Sequence, residues 1–100
     1  MNLYEDLKKL SNQEENFQTL LENRRVKIDY IQSNMPQAGQ WYNQTHDEWV
    51  LLLEGEATLE YNSGDTEALK RGDILLIPAH KTHRVAYTKE NTLWLAIHLL

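Results

Sequence analysis

Apolar positions along the chain change their period once. In the first 24 residues Leu3, Leu7 and Leu10 sit at helical spacing, Ser11 followed by Glu14 in "SNQEE" has the capping-box pattern, and Phe17, Leu20 and Leu21 form the next stripe. This spacing predicts two short helices within residues 1–25, the second starting near Ser11. From "NRRVKIDYIQS" onward the period falls to two: Val26, Ile28 and Tyr30 alternate with Lys27, Asp29 and Ile31, as in a strand with one face buried.

The rest of the chain reads as short strands, expected at 41–44, 47–54, 56–62, 66–70, 74–77, 83–88 and 93–99. Asn62-Ser63-Gly64-Asp65 is a hairpin turn and "KRGD" makes another before Ile74. Many short strands with regular turns predict an all-β sandwich or barrel over residues 26–100, in a single domain spanning 1–100. The stretches "WVLLL" and "ILLI" are apolar on both faces, so each is expected to be covered on both sides. One side would be the barrel interior. The other would meet the N-terminal helices or a second subunit, and a homodimer is expected on that ground.

Composition narrows the function. A net charge of −5 lacks the basic face that nucleic acid or an anionic membrane requires, which leaves small molecules, metals and other proteins as partners. With no cysteine, any metal must be held by nitrogen and oxygen, and a thiolate nucleophile is excluded. "MNLYEDLKKL" lacks the apolar core of a signal peptide and no apolar run approaches membrane-spanning length, so a cytoplasmic location is expected. Neither a nucleophile elbow nor a glycine-rich phosphate loop is present.

The candidate chemistry sits in "THDEWVLLLEGEATLEY". Residues two apart on a strand share a face, so His46 and Glu48 point the same way as Val50 and Leu52. An ionised carboxylate on such a face needs a partner, for which His83 and His98 are candidates. His46, Glu48 and His83 have the composition of a two-histidine, one-carboxylate metal triad. Spacing alone leaves the ordinary alternative open, with His46 at an exposed strand start and Glu48 paired with an arginine.

These residues resemble the cupin superfamily, small double-stranded β-helix (jelly-roll) barrels with two short motifs. The second motif is glycine, five residues, proline, one residue, glycine, two residues, histidine, three residues, asparagine. "GDILLIPAHKTHRVAY" supplies Gly72, Pro78 and His83, with His80 at the motif glycine and Tyr87 at the asparagine. Glu48 and Gly55 match the end of the first motif, but its His-x-His falls where this chain has "WYNQ", Trp41 to Gln44.

The resemblance implies a cupin barrel in which Glu48 and His83 converge. With His46 they would hold Fe, Mn, Ni or Zn as a divalent ion, while Gln44, His80, Tyr87 and His98 would line a pocket for a small molecule. Three functional readings follow: a metal-dependent enzyme acting on a small polar molecule, a non-catalytic ligand- or metal-sensing module, and a degenerate cupin that is structural only.

Overall fold

The computed structural model describes residues 1–100 and is built from eight strands. They are β1 (Glu14–Glu22), β2 (Val26–Asn34), β3 (Asp47–Glu54), β4 (Glu56–Tyr61), β5 (Thr66–Lys70), β6 (Ile74–Ile77), β7 (His83–Thr88) and β8 (Thr92–Leu99). A five-stranded sheet of order β1-β2-β8-β3-β6 faces a three-stranded sheet of order β5-β4-β7, and every pairing is antiparallel. The fold is all-β, a jelly-roll barrel.

The expected N-terminal helices are absent. Ser11 and Glu14 do meet, the Ser11 N–H donating to Glu14 Oε1 at 3.0 Å, but that contact closes a turn and the chain continues as β1. β1 pairs with β2 along its whole length, so a partner strand supplied by the fold outweighs a local pattern that the peptide alone would have to nucleate. Residues 41–44 are likewise not a strand and make only a single bridge, Tyr42 to His83. No helix is long and apolar enough to cross a membrane.

The core lies between the two sheets. Val50, Leu52, Trp94 and Ala96 from the larger sheet meet Ala57, Leu59 and Leu69 from the smaller, and Leu52 and Ala96 are fully buried. The turns sit where the sequence placed them: Tyr61 and Asp65 close the β4–β5 hairpin, and the Asp73 N–H donates to the Lys70 carbonyl before β6. The strands that read as apolar on both faces pack into the core on the inner side only, where Val50, Leu52 and Ile77 are buried and Leu75 partly so. Trp49, Ile74 and Leu76, all on the outer side, remain exposed.

Candidate functional site

On the inner face of the large sheet, polarity falls off row by row. Strand register aligns Lys27, His98, Glu48 and Ile77 across β2, β8, β3 and β6. The next row is Thr19, Asp29, Ala96 and Val50, and the third is Phe17, Ile31, Trp94 and Leu52. The first two rows place polar groups at one end of the barrel, and the third is almost wholly apolar. A cavity of about 300 Å³ occupies the polar end, closed on its far side by Leu59, His83 and Val85 of the small sheet. That is the lower end of the size range for small-molecule pockets.

His98 is the most connected side chain in this cavity. Its Nδ1 lies 2.9 Å from His46 Nε2 and 4.0 Å from Glu48 Oε1, and its Nε2 lies 3.6 Å from Asp29 Oδ2. Asp29 accepts a 2.9 Å hydrogen bond from Thr19 Oγ1 and has Lys27 Nζ at 3.8 Å. Of the two candidate partners for Glu48, His98 is the one that stands beside it, at 4.0 Å and outside hydrogen-bond distance, and no arginine pairs with Glu48. A second polar chain closes the β1 side, where Trp94 Nε1 donates to Ser33 Oγ and Ser33 Oγ donates to Glu15 Oε2. Burial pushes the Glu15 carboxyl above the usual carboxylate range, with the Ser33 hydrogen bond opposing the shift.

The three residues expected to hold a metal are not gathered. His46 stands beside the cavity with its ring edge-on to His98, at 5.0 Å between centroids, and is not part of the cavity wall. His83 is buried in the opposite wall, where its Nδ1 donates to the Lys81 carbonyl at 2.9 Å. No group of three histidine, aspartate or glutamate side chains is arranged to hold a metal ion. Tyr42 and Gln44, from the "WYNQ" segment, line the cavity with Glu48 and His83. The cavity donors are then a phenol, an amide, three carboxylates and the imidazoles of His83 and His98, but His46 is not among them and no three of the carboxylates and imidazoles are gathered as the expected triad requires.

Of the residues expected around a small-molecule pocket, Gln44 and His98 line it, and the Gln44 Oε1 atom is buried without a hydrogen-bond partner. His80 is exposed in the loop before β7, and its φ of 67° is the left-handed conformation that the motif glycine would supply. Tyr87 points outward. Simple alternation puts it on the side of His83 and Val85, but the β4–β7 register shifts between Thr58 and Leu59, and the bulge turns Tyr87 away from the cavity. Lys27, Asp29, Glu15 and Phe17 line the cavity without having been singled out in the sequence. The alternation over 26–31 was visible, but which of its two faces looks inward depends on pairing with β8.

The Cupin domain family (Cupin_2) matches residues 32–98. Among solved structures, one described as a "putative mannose-6-phosphate isomerase" from Ralstonia eutropha JMP134 is 41% identical, with 99% of this chain and 95% of that chain covered and a TM-score of 0.88. A cupin superfamily protein from Desulfitobacterium hafniense DCB-2 is 25% identical over 91% of this chain and 82% of that one, at a TM-score of 0.79. An RmlC-like cupin from Shewanella frigidimarina NCIMB 400 shares the fold at 19% identity and a TM-score of 0.74, over 85% and 75% of the two chains. No curated protein matches. With motif, barrel and family agreeing over the same residues, the chain belongs to the cupin family.

Proposed function

We propose that this cupin binds an uncharged, hydroxyl-bearing small molecule directly on its side chains, with no metal between ligand and protein. The observation that carries this reading is the unpartnered Gln44 Oε1 in the wall of a cavity otherwise lined largely by apolar groups. A buried acceptor left unpaired costs about 1–3 kcal/mol, which a ligand hydroxyl recovers once the amide turns its oxygen toward the cavity. Glu48 adds a carboxylate and His83 an imidazole to the same lining, so polar side chains from both sheets border the space a polyol would fill.

The charge of the wall selects against a phosphomonoester. Glu15, Asp29 and Glu48 line the cavity, and the one lysine there, Lys27, is already beside Asp29. The 41% identical neighbour's name includes a sugar phosphate; for this chain the hydroxylated portion fits the acceptors and the phosphate does not. Calorimetric titration with neutral monosaccharides and polyols, beside the phosphorylated forms, tests the proposal. A neutral ligand is expected to bind and to lose at least about tenfold in affinity in Gln44→Leu and in Glu48→Gln, equivalent to about 1.4 kcal/mol. Preference for the phosphorylated form sinks the charge argument. Stoichiometric divalent metal in the wild type, lost in His83→Ala and Glu48→Gln, sinks the direct-binding reading.

A further inference from the structure

The two sheets leave a seam on one side of the barrel. Gly39 to Tyr42 run along the free edge of β7, where the Gly39 N–H donates to the Val85 carbonyl and Tyr42 exchanges two backbone hydrogen bonds with His83. This segment faces β1, the edge strand of the large sheet, across the seam. Gln13 clasps the seam at one point: its side-chain amide donates to the Gln37 carbonyl at 2.8 Å and accepts from the Gln37 N–H at 3.0 Å. Beside the clasp a second cavity of about 380 Å³ lies between β1 and the 39–42 segment.

Glu15, Phe17, Tyr42 and Val85 line both cavities, so the two adjoin across shared side chains. Their chemistry differs. The first holds the carboxylates of Asp29 and Glu48 and the imidazoles of His83 and His98, whereas the second adds Met35 and Gly39 and has neither lysine nor arginine in its wall. Phe17 stands on the inner side of β1, in the apolar row of Ile31, Trp94 and Leu52, yet it is 55% exposed. A large apolar ring that faces inward and stays wet gains by being covered, and the protein supplies no cover. Gly39 keeps the opposite wall open, since even a Cβ there would lie 3.0 Å from Met35 Cε.

We propose that the second cavity is a subsite for an uncharged apolar substituent, an aryl group above all, carried by the hydroxylated ligand whose head occupies the first. The ligand class is then a substituted polyol, such as an aryl glycoside, and not a free sugar; this rests on the reading of the first cavity as a polyol site. An aryl ring suits the place because Phe17 offers an aromatic partner and the flexible Met35 thioether can adjust to the ring's edge. An anionic substituent does not suit it, because the one charged side chain in this wall is Glu15.

Calorimetric titration of the full chain with phenyl and methyl glycosides of neutral hexoses, both anomers, beside the free sugars, tests the proposal. At least one phenyl glycoside is expected to bind at least about tenfold more tightly than its methyl counterpart. Gly39→Val, which fills the second cavity from a backbone with no left-handed φ, and Phe17→Ala, at an exposed ring, are each expected to bring that ratio close to one. The ratio is the readout because a loss of head binding common to both glycosides leaves it unmoved, and two variants keep the test intact where one fails to fold. Equal binding of phenyl and methyl glycosides by the wild type overturns this inference alone, and so does a ratio that survives both substitutions. Failure of every sugar and glycoside to bind overturns it together with the polyol reading of the first cavity.

Discussion

Glu15 sits where two demands on a single residue conflict. Its carboxyl lies on the inner side of an edge strand, accepts from Ser33, and is desolvated by the cavity wall. Because burial raises its pKa in the folded state, the protonated form is the one folding favours. The resulting stability is fully present below the unfolded pKa and is lost as the pH rises through the folded value. Glu15→Gln keeps the shape and removes the charge, so it is expected to raise Tm at neutral pH, with the gain shrinking toward zero in acid. Thermal melts of both proteins across that pH range will check this, and an equal gain at every pH would contradict it. His80 illustrates a different kind of constraint. The motif position fixes a left-handed backbone whatever side chain is present, so the histidine is there as a loop residue and its ring stays in solvent.

Between elements, the tightest junction is Gly55, which links β3 of the large sheet to β4 of the small one. Its φ is +95°, and a Cβ there would lie 2.4 Å from Thr92 Oγ1 and 2.8 Å from Thr92 Cα. Thr92 cannot easily yield, because it is fully buried and its hydroxyl bonds the carbonyls of Glu56 and Lys89. Gly55→Ala is therefore expected to cost well over ~1 kcal/mol, a Tm loss of at least ~4 °C. Gly64 has φ +92° but open space around it, so Gly64→Ala measures the backbone term alone and should cost distinctly less. Equal losses in denaturant titrations would show that the Thr92 contact contributes nothing. The same scale explains why Tyr87 left the pocket and β1 replaced a helix. A one-residue bulge reverses the side a strand residue faces, and an edge strand forms where β2 offers a partner.

Over the whole molecule, residues 1–10 act as a strap across the back of the sheet without being a strand or helix themselves. Deleting them removes the backbone partners of Gln32 and Tyr30 and uncovers the apolar surface around Leu93, at about 1 kcal/mol for each lost hydrogen bond. A truncated chain is expected to melt at least ~8 °C lower, and an unchanged Tm would mean the strap is peripheral. From its own sequence the chain determined the strands from β2 through β8, the two hairpin turns, the cupin motifs at Glu48, Gly55, Gly72, Pro78 and His83, and the need of Glu48 for a partner. These are legible because alternation, turn chemistry and motif spacing are local properties. Only the tertiary structure decided that His98 is the candidate that stands beside Glu48, that His46 turns to His98 while His83 sits in the facing wall, and that Lys27 and Asp29 line the cavity. Those outcomes depend on strand register and on which sheet faces which, and both are fixed by pairings between residues far apart in the chain.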